Sequence, residues 1–233
     1  KQPSFVDPTS PYPLGTVHVG RDLLARIIHG SRIALQVGLV AVAIETVIGV
    51  ILGLLSGYYG GKLGNAIMFV TDLTWSIPPV VLALAIVTAI GSSLMNVVIS
   101  IAVVSWAQFT RIVRSKTQAL KNTPFIEAAR AIGESDFSII VRYILPNVTS
   151  QVLVIATLAL PTAILSTSSL SFMGLGAQQP LPDWGNILSD GINYMRQSPF
   201  LTIAPGVALV ITVLGFNLLG EGLREMLDPK MKV

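Results

Sequence analysis

The residues with the chemistry to form a site are few and fall in a small number of places. Residues 122 to 147, NTPFIEAARAIGESDFSIIVRYILPN, hold Glu127, Arg130, Glu134, Asp136 and Arg142 among apolar neighbours. Two further carboxylates, Glu45 and Asp72, stand inside apolar runs, and a third run carries the hydroxyls Ser166, Thr167, Ser168, Ser169 and Ser171. His18 and His29 have no acidic or cysteine partner at ligand spacing, so no metal site is expected. The stretch SGYYGGKLG at 56 to 64 fails as a phosphate-binding loop, because Ser56 takes the first Gly position and Leu63 follows Lys62. Neither a Gly-x-Ser-x-Gly elbow nor an HExxH helix is present. With no cysteine, disulfides, thiolate metal ligands and a Cys nucleophile are excluded. The chain is expected to be non-catalytic and to hold no cofactor of its own.

What remains is the chemistry of charge in an apolar medium. Of 233 residues, 52% are hydrophobic and only 12% charged, against about 25% charged in an ordinary soluble domain, and the mean hydropathy is +0.72. The class is an integral membrane protein. A net charge of +3 is too small and too local to point to nucleic acid. An ionised carboxylate deep in a bilayer costs roughly 3 kcal/mol or more unless paired or wet. Glu45 therefore either lines a path or pairs with a partner subunit, or else it is protonated or hydrogen-bonded within the bundle. Asp72 is expected to pair with a cation such as Lys62 or Arg111. The hydroxyls, Ser166 and Ser168 among them, either let helices pack closely or line an aqueous passage.

The elements that position these groups follow from length. A hydrocarbon core of about 30 Å needs about 20 apolar residues as helix, and five such runs occur: residues 33 to 57, 66 to 90, 94 to 112, 148 to 172 and 200 to 220. The Pro78-Pro79 pair should kink the second, Gly91 to Ser93 should turn tightly into the third, and Pro161 and Pro205 lie inside the fourth and fifth. No strand alternation or repeat appears, so the fold expected is all-α. Residues 20 to 35 place Leu23, Leu24, Ile27 and Ile28 at helical spacing against Arg21, Asp22, Arg26 and His29, as in an interfacial amphipathic helix.

Ten of the fifteen cations fall on one side of this layout and five on the other if the charged insert is cytoplasmic: Lys62, Arg111, Arg114, Lys116, Lys121, Arg130, Arg142, Arg224, Lys230 and Lys232 against Lys1, Arg21, Arg26, Arg32 and Arg196. Cations are enriched inside. The layout expected is an extracytoplasmic segment over 1–31 and a transmembrane domain over 32–221. That domain includes a cytoplasmic insert over 114–146 and an outer loop over 174–199, and residues 222–233 form a cytoplasmic tail. Five spans with the N-terminal end outside predict one more helix upstream, six in the full protein.

Within the insert, Thr123 before Pro124 reads as a cap and a first helical position. The helix runs to about 132, Gly133 supplies a left-handed stop, and a second helix restarts at Ser135-Asp136. Phe137, Ile140, Val141 and Ile144 fall on one predicted apolar stripe, and Leu145-Pro146 should turn the chain into the next span. Ala128, Ala129 and Ala131 leave thin sides where another protein's backbone could approach. On residue pattern alone, this insert is either a projecting hairpin or an amphipathic helix lying on lipid.

The order Glu127-Ala128-Ala129, three residues, Gly133, eleven residues, Leu145-Pro146 resembles the cytoplasmic "EAA" motif of permease subunits in binding-protein-dependent ABC importers, with Tyr143 where Ile is common two residues before the Leu. PLGTVHVGRDLLARIIHGSRIAL at 13 to 35, SLSFMGLGAQQPLPDWGNILSDG at 169 to 191 and FNLLGEGLREMLDPK at 216 to 230 are similar to the second permease of the dipeptide, oligopeptide and nickel branch. Val17-His18 replace that branch's usual acidic pair.

The resemblance implies six spans and half of a translocation pathway in a bacterial or archaeal inner membrane. The implied partners are a second homologous permease, two ATPase subunits that bind ATP and Mg, and an extracytoplasmic substrate-binding protein. It also implies coupling to the ATPase through Glu127, Ala128, Ala129, Gly133, Leu145 and Pro146, with peptides or a related small solute as cargo. The competing expectation is an ion-coupled secondary transporter using Glu45 and Asp72, against which stand the odd span count and the docking-like insert.

Overall fold

The computed structural model describes residues 8, 11–17 and 19–227. His18 and positions 228–233, with Lys230 and Lys232, lie outside the described residues, as does Lys1. Every long element is helical: α1 Leu23–Tyr59, α2 Gly61–Trp75, α3 Pro79–Ile90, α4 Leu94–Lys121, α5 Pro124–Ala131, α6 Asp136–Ser138, a π-helical segment Ile139–Ile144, α7 Leu145–Phe172, α8 Trp184–Asn193 and α9 Phe200–Leu227. Among the described residues, four helices are long and apolar enough to cross a membrane, and the α2–α3 pair makes a fifth span if taken as one. The chain is an all-α, multi-pass membrane protein.

Close approach of α1 and α4 organises the bundle. Ala41, Glu45, Gly49, Gly53 and Gly57 recur every four residues on one buried stripe of α1. A Cβ on Gly53 would lie 2.6 Å from Val113 Cβ and 3.0 Å from the Thr110 carbonyl oxygen, and one on Gly57 would lie 2.7 Å from Thr117 Cβ. Small residues are how helices gain packing contact in lipid, where burial from water offers little drive between them. The GVILGLLSG run carries this signal as Gly at every fourth position. Elsewhere Gly38 seats Ile164 of α7 and Gly220 seats Leu158.

Several expectations need correction. The amphipathic stretch at 20 to 35 is not a separate interfacial helix. Asp22 caps Leu24 through its carboxylate, 2.9 Å, and the helix continues unbroken into the first span. The second span is broken rather than kinked: α2 and α3 meet at 91°, because Pro78 and Pro79 each withhold a backbone donor. The outer loop over 174–199 contains α8, capped by Asp183 to the Gly185 amide at 2.9 Å. Trp184 is buried there, donating from Nε1 to the Ile27 carbonyl at 2.9 Å. The turn at Gly91 to Ser93 is as expected, closed by Asn96 Nδ2 to the Gly91 carbonyl at 2.8 Å and by Ser93 Oγ accepting from the Asn96 amide at 3.1 Å.

The insert and the polar cavity as candidate functional sites

The insert is built from short-range rules with two departures. Pro124 opens α5, as expected, but Thr123 does not cap it. Its hydroxyl donates back to the Leu120 carbonyl at 2.5 Å, satisfying the end of α4. Gly133 has φ +87°, the left-handed conformation that ends α5. Ser135 then accepts from the Ser138 amide at 3.3 Å and starts α6.

The second arm does not turn at Leu145-Pro146. It runs through the π segment directly into α7, and Pro146 sits in the first turn, where its missing donor costs nothing. A π-turn takes more residues than an α-turn, so the 3.6-residue stripe fails here. Ile139, Ile140 and Ile144 are buried, whereas Phe137 is 75% exposed and Val141 is also exposed.

This arrangement sorts the predicted coupling residues. Ala129 is buried with Ile126 against Leu54, Tyr58, Val113 and the π-segment isoleucines, so its thin side admits this chain's own core rather than another protein. Ala128, Glu127 and Gly133 are exposed at the tip, with Phe125, Phe137 and Ile132, the last 77% exposed. Leu145 is half-buried against the same core, and Pro146 is exposed.

Tyr58, unremarked in the sequence, holds the tip to the bundle. Its hydroxyl donates to Asp136 Oδ1 at 2.5 Å, Lys121 Nζ donates to its carbonyl at 2.5 Å, and Lys121 and Arg130 both lie 5.5 Å from its ring centroid. A hydrogen bond to a charged group contributes about 1.5–3 kcal/mol, and each cation over the ring adds roughly 0.5 kcal/mol or more. An aromatic residue closing a span beside a basic insert was the available signal.

Asp72 pairs with Arg111, as expected, Nη2 to Oδ1 at 2.7 Å, and the same guanidinium lies 5.3 Å from the Trp75 ring centroid. Glu45 is only 2% exposed. It borders a cavity of about 140 Å³ between α1, α4 and α7, with Ser105, Gln108, Thr162 and Ser166 as its other polar walls. Ser105 hydrogen-bonds the Glu45 carboxyl. Ser168 is buried away from this cavity, and its carbonyl oxygen faces Gly185 of α8.

The α7 residues Ile155 and Leu158 are shared with a groove of about 760 Å³ that reaches Pro146, Lys116 and Arg224 at the insert end. At the opposite end, burial pushes the Asp183 carboxyl above the usual carboxylate range, partly offset by the hydrogen bond from the Gly185 amide. His29 Nδ1 lies 2.8 Å from the Ala25 carbonyl oxygen.

The family model of the binding-protein-dependent transport system inner membrane component matches residues 49–233. The chain is 44% identical over 97% of its length to the dipeptide transport system permease protein DppC of Alkalihalophilus pseudofirmus, covering 74% of that protein. It is 43% identical, again over 97% of its length, to the glutathione transport system permease protein GsiD of Pectobacterium atrosepticum, covering 75% of it. Its fold is similar to a chain of the inward-facing MetNI methionine ABC transporter, with a TM-score of 0.69 at 22% identity over 88% of this chain and 98% of that one. It also resembles a chain of an amino acid ABC transporter, with a TM-score of 0.65 at 18% identity over 85% and 92% of the two.

Proposed function

Because the chain belongs to the family of binding-protein-dependent transport system inner membrane components, we propose that its insert docks an ATP-hydrolysing partner and that its polar cavity forms part of the cargo path. The chain is a permease subunit of an ABC importer. The cargo is a small peptide, of the size of the dipeptides and glutathione for which the similar permeases are named. The assembly would contain a second permease, two ATPase subunits and an extracytoplasmic binding protein, in a prokaryotic inner membrane. The insert would face the cytoplasm, where the basic residues Lys62, Arg114, Lys116 and Lys121 crowd its end of the bundle. ATP-driven closure would pull on the insert and alternate the path between its two openings.

The observation that carries this reading is the exposed tip. Phe125, Ile132 and Phe137 stand out beside Glu127 and the positive-φ Gly133, on an arm fixed to the bundle through Tyr58 and Asp136. An apolar knob held rigidly is what a cleft on a partner can grip, whereas a helix resting on lipid would need no such anchoring. The test is the double substitution Ile132→Asp, Phe137→Asp in the tagged permease. The chain should reach the membrane at normal level while co-purification of the ATPase and uptake both fall at least about tenfold, a hot-spot-scale loss. Undiminished co-purification would refute docking by this tip. The secondary-transporter reading is not favoured, since Asp72, one of its two cation ligands, is already taken by Arg111.

A further inference from the structure

We propose that Glu45, with Ser105, Gln108 and Ser166, forms a station for a primary ammonium group, the amino terminus of the peptide cargo. It rests on the reading of this cavity as part of the cargo path.

The carboxylate is almost wholly buried, yet among the described residues no basic side chain lines its cavity and only the Ser105 hydroxyl is set to hydrogen-bond it. An ionised carboxylate offers about four lone-pair sites, more than one hydroxyl can fill. Glu45 also stands where its stripe on α1 otherwise has Ala or Gly for contact with α4. A residue serving packing alone would be small there.

The rest of the wall suits one kind of guest. An ammonium carries three donors, and the cavity is lined by groups able to accept them: the Glu45 carboxylate, the Gln108 amide and the hydroxyls of Ser105, Thr162 and Ser166. One carboxylate with neutral oxygens is a thin donor set for a divalent metal, which takes six or more oxygens and usually several carboxylates. The remaining wall, Phe109, Ile155, Leu158, Ala159 and Ala163, is apolar and would exclude the water that otherwise screens a charge pair.

The way in is polar too. Gln108 and Thr162 are exposed at the rim, and the α7 face continues into the larger groove whose far end carries Lys116 and Arg224. Lys116 follows Gln108 by eight residues on α4, about 12 Å at helical rise, so the trough offers an anion and then a basic pair. A short zwitterion meets stations of opposite sign along it.

Because the chain has no cysteine, Ser166→Cys places a lone thiol in this subunit beside Glu45. In the reconstituted complex, labelling is read from the intact mass of this chain with 2-aminoethyl methanethiosulfonate, a cation, and 2-sulfonatoethyl methanethiosulfonate, an anion, each normalised to its rate with a free thiol. The cation should react at least about tenfold faster, the scale of one charge-assisted contact. Adding Glu45→Gln should bring the two rates level. Alanyl-alanine should slow the cationic reagent, and N-acetyl-alanyl-alanine should not. Equal rates with Glu45 in place would overturn the ammonium station whatever the substitution does to folding. A cation preference that Glu45→Gln removes, with alanyl-alanine neither protecting nor transported, would keep the station and overturn the peptide cargo.

Discussion

Substitutions at Gly133 separate backbone geometry from bulk. Its φ is +87° and a Cβ added there would meet nothing within 4 Å, so within this chain the opposition to a side chain comes from the backbone alone. An L-residue forced into the left-handed region costs about 1–2 kcal/mol, which lowers the equilibrium constant between the correctly bent insert and its alternatives roughly five- to thirty-fold. Asn visits that region more readily than Ala, and a β-branched residue is a true outlier there. In proteoliposomes holding the whole importer, ATP-driven uptake should therefore rank Gly, Asn, Ala, Val. Ala should fall by up to about that factor and Val further, with all four chains inserted equally. Ser138→Ala, on the same arm but away from the bend, should transport like the wild type. Ala at wild-type rate, or Asn as damaged as Val, would refute the backbone argument, the second outcome because it would rank the variants by size instead.

Two further outcomes follow from packing and topology. Gly53→Val should lower the thermal unfolding temperature of the solubilised complex, through roughly 1–3 kcal/mol of overpacking against Val113 and Thr110, while Gly222→Val, with open space around it, should not. Asn193→Cys on the exposed side of α8 should be labelled in intact cells by a membrane-impermeant thiol reagent, and labelling only after lysis would invert the proposed orientation. Asn186 is a poor position for that experiment, since its side chain donates to the Ala177 carbonyl.

Much of this was legible because the bilayer leaves so few options. Apolar run lengths gave the spans, Gly133 gave the bend, and the isolated Asp72 called for a cation, Lys62 or Arg111, of which Arg111 is the partner. Periodicity failed at residues 137 to 144, where the π segment replaces the assumed 3.6-residue turn. Side-chain size misled at Ala129, because a small residue marks close approach without saying from which side the neighbour comes. The Pro78-Pro79 pair announced a disturbance, but the angle between its two halves depends on how α3 packs on α4 through Ala83, Val87, Val97 and Ile101. The glycine stripe was readable as Gly at every fourth position. The cavity at Glu45 was not, because its walls come from three helices distant in sequence.

The π segment has a consequence for rotation. Between Asp136 and Phe172 the helix runs on without a loop, so the insert and the α7 wall of the cavity are two ends of one rod. Along an α-helix each residue advances the azimuth by about 100°, and a π-turn absorbs surplus residues without adding a full step. The six residues Ile139–Ile144 therefore act as a phase setting, fixing which way the docking tip points when Thr162 and Ser166 face Glu45. Rewound as α-helix, the same six residues would keep every side chain of both sites, yet turn the tip about the axis through which a partner must drive it.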